Sequence, residues 1–139
     1  MPSLGPSEVV QLWFERVWNQ ADESAIDELF APRGIAHGLP GETLRSPKAF
    51  KAFARAFRAQ VPNVRIKVLR TVTEGELCAA HCLVTGTALG RGGARGKKIR
   101  FEGVTIVRVA NGRIQEAWNT FDFLTFNQQI GALPKLPRS

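Results

Sequence analysis

The chain has 139 residues, enough for one domain, and 44% of them are hydrophobic, which excludes a disordered chain. No run of apolar residues is long enough for a transmembrane helix, and the start Met1-Pro2-Ser3-Leu4-Gly5-Pro6 lacks a basic and apolar leader, so a cytoplasmic protein is expected. The net charge of +7 asks for an anionic partner only if the charges are gathered on one surface.

Ser7 to Gln20 reads as the first helix, because Val10, Trp13, Phe14, Val17 and Trp18 recur at helical spacing, with Ser7 as N-cap after Pro6. A second, short helix runs from Ser24 to Phe30 and ends at Ala31-Pro32-Arg33-Gly34. Ile35 to Leu39 is a short extended piece, and Pro40-Gly41-Glu42-Thr43 is a loop. Ser46 followed by Pro47 opens a third helix as N-cap and first helical residue, and Phe50, Phe53, Ala54 and Phe57 form its apolar face. Its other stripe, Lys48, Lys51, Arg55 and Arg58, reads as a solvated face. Val61-Pro62-Asn63 stops this helix.

From Val64 the period becomes that of strands. Val64 to Thr73, Leu77 to Leu89, Ile99 to Val109 and Ile114 to Phe121 are four strands, and Asn111-Gly112 suits the type I′ turn of a hairpin. Leu124 to Ile130 closes as a short helix that Gly131 ends, followed by a proline-containing tail. Helices followed by a hairpin-linked meander argue for an α+β domain whose helices pack on one face of a curved antiparallel β-sheet. The later strands are apolar on both faces, so the uncovered face suggests a homodimer. Cys78 and Cys82 share one strand about 13 Å apart at ~3.3 Å per residue, too far for a disulfide. No metal or other cofactor is expected, with two histidines in the chain. Arg91, Arg95, Lys97, Lys98 and Arg100 crowd a Gly-rich stretch without an aromatic between them, so an exposed hairpin loop is expected, with an anion or nucleic-acid binder through residues 91–100 as the lesser alternative.

Asp122 follows an apolar strand and is flanked by Phe121 and Phe123. A carboxylate walled by Trp118, Phe121 and Phe123 would be desolvated and raised toward a useful acid/base range, or Asp122 is the N-cap of the last helix. His81 lies among Ala, Cys, Leu and Val, and either faces a cavity or is a core histidine with its own partner. His37 lines a cavity mouth or sits on an exposed segment. Trp13, Phe53, Phe57 and Trp118 are core, ligand wall or both.

Several pieces resemble the SnoaL-like polyketide cyclases of the nuclear transport factor 2-like superfamily. They are Trp18-Asn19-Gln20, Ile26 to Pro32, His37-Gly38, Val61-Pro62-Asn63-Val64, Glu74-Gly75-Glu76 and Gly86-Thr87. Asn111-Gly112-Arg113-Ile114 with Glu116 and Trp118, then Asp122 and Gln129-Ile130-Gly131, continue the match over residues 8 to 133. Asn63 replaces a usual Asp, and Ala88 a usual His. The resemblance implies a cone-shaped curved sheet wrapped around N-terminal helices. It also implies acid/base chemistry, such as aldol-type cyclisation, on a small apolar carbonyl compound, with Asp122 moving the proton and His81 as its polar partner. A non-catalytic ligand-binding or dimerisation module on the same fold is the competing expectation. The ketosteroid isomerases of the superfold use a tyrosine, and this chain has none. The epoxide hydrolases use an Asp-Arg-Asp set, where this chain has His81 for the Arg and Leu83 for the second Asp.

Overall fold

A computed structural model describes residues 3–90 and 96–133. The first helix, α1, spans Pro6–Leu12 and continues as a π-helical segment, Trp13–Asn19. Its N-cap is Gly5 rather than Ser7, and Pro6 takes the first helical position, where a missing N–H costs nothing. The Glu8 carboxylate accepts the Gly5 N–H. The Ser7 hydroxyl is free to bond Gln11 and Thr71 instead. The π-helical turn leaves Trp13, Phe14, Val17 and Trp18 all buried.

Helix α2 is Ser24–Leu29, and the chain turns directly into strand β1, Phe30–His37. Helix α3, Pro47–Gln60, starts as its sequence requires, with the Ser46 hydroxyl accepting the Ala49 N–H. Its basic stripe is not simply solvated. Lys51 pairs with Asp27 and Arg55 with Glu23. Arg58 donates to the Val17 and Trp18 carbonyls and lies over the Trp18 ring. Burial of that guanidinium lowers its pKa from the usual arginine value.

Strands β2 (Arg65–Glu74), β3 (Leu77–Ala88), β4 (Lys97–Ala110) and β5 (Arg113–Phe121) follow, then helix α4, Phe123–Gln129. The sheet order is β1-β5-β4-β3-β2. The meander β2 to β5 is antiparallel, as the hairpin turns demand, with Asn111 and Gly112 at φ 55° and 72°. The sheet is nevertheless mixed, because β1 runs parallel to β5. Ile35, Ala36 and His37 register against Glu116, Ala117 and Trp118. A purely antiparallel sheet was expected because Ala31-Pro32-Arg33-Gly34 reads as a terminator. An edge strand tolerates that proline, since only one of its sides carries ladder hydrogen bonds.

Alternation along the strands sorts side chains to two faces. Cys78, Ala80, Cys82 and Val84 of β3, and Phe101, Thr105 and Val107 of β4, are buried toward the helices. In β2 the register shifts at Leu69, between Val68 and Arg70. Ile66 and Val68 face inward before this bulge, whereas Arg70 and Val72 face outward after it. Cys78 and Cys82 are free and buried, and burial pushes the Cys82 thiol up to about 12. No described helix is long and apolar enough to cross a membrane.

Two side-chain amides fasten helices to strand backbone. Asn19 donates to the Ile66 carbonyl at 2.9 Å and accepts the Ile66 N–H at 2.7 Å. Gln129 does the same to Arg100, accepting its N–H at 2.8 Å and donating to its carbonyl at 2.9 Å. Asn19→Ala removes both bonds and leaves part-buried backbone groups of an edge strand without partners. It should cost about 1–3 kcal/mol in urea unfolding, whereas a loss below about 0.5 kcal/mol would show that water replaces the clamp.

Candidate functional site

The space between the helices and the inner sheet face is a cavity with a free volume of about 60 Å³. Its helical wall is Trp13, Phe14 and Trp18 with Phe50, Phe53 and Phe57. Trp13–Phe50 and Trp18–Phe57 meet edge to face, with centroids 4.8 Å and 5.8 Å apart, while Phe53 and Phe57 stack. Such contacts fix ring orientation beyond plain burial. The sheet wall brings Phe30 and Ala36 from β1, Phe101, Thr105 and Val107 from β4, and Ala117, Asn119 and Phe121 from β5. Leu39, Ile66, Val84, Ile114 and Phe123 also line it. Gly103 makes room for Phe121, whose ring lies where a Cβ would stand.

Two polar side chains interrupt this apolar lining, and both escape a reading of the sequence alone. Thr105 and Asn119 are direct cross-strand partners on the inner face. Asn119 donates through Nδ2 to the His37 carbonyl at 2.9 Å. The next residue, Gly38, has φ 84°, and a Cβ there would lie 1.9 Å from the Asn119 carbonyl oxygen. Only glycine lets the chain cross the end of β5 so closely. The signal for Thr105 and Asn119 is phase. Thr105 is in step with Phe101 and Val107, and Asn119 with Ala117 and Phe121.

The sequence-predicted residues divide between the two sides of the sheet. Trp13, Phe53 and Phe57 line the cavity. Trp118 does not. It projects from the outer face, 39% exposed, and stacks on the His37 ring at 6.0 Å. His37 also lies outside, with Nε2 2.6 Å from the Glu116 carboxylate. His81 is on the outer face too, because it stands in the β3 phase opposite to Cys82 and pairs with Val104 of β4. Arg70 can only donate, so Nδ1 of His81 accepts at 2.8 Å and its Nε2–H donates to Glu102 at 2.7 Å. A cavity-facing His81 is therefore corrected to an outer-face histidine held between Arg70 and Glu102.

Asp122 is the N-cap of α4. Its Oδ1 accepts the Thr125 N–H at 3.0 Å and its Oδ2 the Thr125 hydroxyl at 2.6 Å. The Thr125 hydroxyl, followed by the Thr125 N–H, holds the carboxyl below the ordinary aspartate value. That is opposite to the rise expected of a desolvated acid. Phe121 and Phe123 on either side do line the cavity, but the carboxylate between them is turned to Thr125. No ionisable side chain lines the cavity among the described residues. Lys97, Lys98 and Arg100 begin β4, while Arg91 and Arg95 of the basic loop lie outside the described residues.

Two outcomes test this arrangement. Gly38→Ala should destabilise the fold by more than about 3 kcal/mol, since it combines positive φ with backbone overlap. A near-native unfolding midpoint would refute the close crossing. A depressed carboxyl stabilises the fold above the ordinary aspartate pKa of 3.8, and that stability is lost as pH falls through the lower folded value. Asp122→Ala should therefore melt below the parent protein at neutral pH, with the gap closing in acid. Asp122→Asn, an equally good cap, should melt close to the parent at neutral pH.

A family model for the SnoaL-like polyketide cyclases matches residues 8–130. Among solved structures, a candidate SnoaL-like polyketide cyclase from Jannaschia sp. CCS1 superposes with a TM-score of 0.80 at 20% identity, over 93% of each chain. A candidate polyketide cyclase from Bacillus cereus ATCC 10987 gives 0.79 at 28% identity, over 90% of this chain and 79% of that one. IdmH from Streptomyces antibioticus, also a candidate polyketide cyclase, gives 0.79 at 27% identity, over 91% and 98%. No curated protein matches in sequence. With the family model covering nearly the whole described fold, this chain belongs to the SnoaL-like polyketide cyclase family.

Proposed function

We propose that this chain binds a small, uncharged, ring-containing molecule between its helices and the inner sheet face, where the free volume of about 60 Å³ must widen toward the roughly 150 Å³ that holds a benzene-sized ring. The observation that carries the reading is the lining: aromatic walls, two polar side chains, and no ionisable group among the described residues. Aromatic walls reward an apolar or planar ligand through burial and edge-to-face contact. The polar pair supplies orientation. Toluene is a suitable apolar probe. It should shift the NMR signals of Trp13 and Trp18 with saturation, and Ala117→Leu, which fills the cavity, should abolish the shifts. Absence of saturable shifts up to the solubility limit of toluene would overturn the reading.

A second reading keeps acid/base turnover on a carbonyl compound, with Asp122 as the carboxylate. Its support is position, since Asp122 stands between two cavity-lining phenylalanines, Phe121 and Phe123. The carboxylate would have to leave Thr125 to act. Asp122→Asn should then reduce cyclisation by about 10²–10⁴-fold without lowering the melting point. Unchanged turnover in that variant would remove Asp122 from the chemistry.

The outer face suggests self-association. Val72, Leu77, Val104, Ile106 and Trp118 are exposed large apolar side chains there, with Val72 70% accessible. They lie across β2, β3, β4 and β5, flanked by the His37–Glu116 and His81–Glu102 pairs. A homodimer through this face would cover them. Light scattering at micromolar concentration should give about twice 15.3 kDa, and Ile106→Glu should give the monomer mass. A monomeric parent protein across that range would contradict the dimer.

A further inference from the structure

Thr105 is 3% exposed and lies in the cavity wall. Its hydroxyl has no hydrogen-bond partner in the protein among the described residues. Every fully buried side-chain nitrogen or oxygen among those residues has a partner. The Thr105 hydroxyl therefore opens onto free space, and the free space at this position is the cavity. A hydroxyl in an apolar enclosure loses free energy unless something inside that enclosure bonds to it.

Asn119 supplies the other half. The His37 carbonyl can only accept, so Nδ2 must face it, and this fixes the amide orientation. Oδ1 is left at the opposite end of the amide without a protein donor among the described residues. Directly opposed strand residues carry Cβ atoms roughly 4.5–5.5 Å apart. One ligand oxygen can therefore reach both side chains.

We infer that Thr105 and Asn119 form a recognition site for a single hydroxyl group on a neutral ring compound: an alcohol, phenol or enol. This rests on the cavity being a ligand site. The ligand O–H donates to Asn119 Oδ1, while its oxygen accepts from the Thr105 hydroxyl. A ketone satisfies only the second bond and sets its oxygen against the Asn119 oxygen. A charged ligand meets no counterion among the described lining residues. The pair thus selects a hydroxyl over both a carbonyl and a carboxylate. The apolar walls select the ring that carries it.

The test compares phenol with toluene, which have nearly the same shape, by NMR titration of the intact chain. Phenol should bind about tenfold more tightly than toluene, the worth of one or two neutral hydrogen bonds. Thr105→Val keeps the side-chain shape and removes a hydroxyl that has no protein partner, so the fold should be unaffected. It should bring phenol to near parity with toluene, and toluene affinity should not fall, because toluene cannot bond the hydroxyl that is removed. Thr105→Ser should retain the preference. Cyclohexanol should likewise bind more tightly than cyclohexanone. Equal binding of phenol and toluene by the parent protein, or a preference that survives Thr105→Val, overturns the hydroxyl site and leaves the cavity reading intact. Failure of both probes to bind overturns the cavity reading and this inference together.

Discussion

The pairing of β4 with β5 decides which side chains of this protein can meet. With Thr105 opposite Asn119, the period of two sends Phe101, Val107, Ala117 and Phe121 inward with them. The same pairing sends Val104, Ile106, Trp118 and Thr120 outward. A slip of β5 by one residue would turn its set over, placing Trp118 in the cavity and Asn119 in solvent while Thr105 stayed inside. The register is held at one end by the Asn111-Gly112 turn and at the other by Gly103, where any Cβ would overlap the Phe121 ring. Gln115 is the extra residue of this ladder. It is accommodated by the shift next to Val109, and its side chain bonds the Ala110 carbonyl.

Onto that sheet the helices are fastened by amides acting as short substitutes for a strand. Asn19 pairs with Ile66 as a neighbouring strand would, and so does Gln129 with Arg100. Asn119 uses half of the same device on His37. Each bond is worth about 1 kcal/mol net, so their stabilising role is modest beside aromatic burial. What they add is direction. Apolar packing alone leaves a helix free to slide, and a bidentate amide defines one position along the strand.

Much of this fold is legible in the residues. Ser46-Pro47 marks the start of α3, Asn-Gly marks the last hairpin, and the change of period at Val64 separates helices from sheet. The parallel β1–β5 pairing is not legible, because partners about 80 residues apart leave no local pattern. The π-helical turn is hidden for a related reason. Trp13, Phe14, Val17 and Trp18 fit one face of either helix, and only packing selects the wider one. The facing of His81 turns on a subtler ambiguity. Leu77, Ala79 and Leu83 are as apolar as Ala80, Cys82 and Val84, so β3 alternates between two apolar faces and hydrophobicity cannot say which is inside. The polar member of one set, His81, marks that set as outward. The bulge at Leu69 then brings Arg70 onto the same face to hold it.

Charge completes the division that the register begins. His37 and His81 each meet a glutamate outside the sheet, and Asp122 is committed to the start of α4. The ionisable groups that seemed suited to the cavity are satisfied elsewhere, which leaves an interior of low polarity. Transfer of an ion into such a space costs several kcal/mol even after relaxation, more than a hydrogen bond to Thr105 could return. A neutral ring loses little water on entry and gains aromatic contact on several sides. As the proposed binding site, the cavity would discriminate first by desolvation, and only afterwards by the placement of one polar group. Both requirements trace to one arrangement: charged side chains on the outer face, and a threonine and an asparagine in phase with phenylalanines on the inner one.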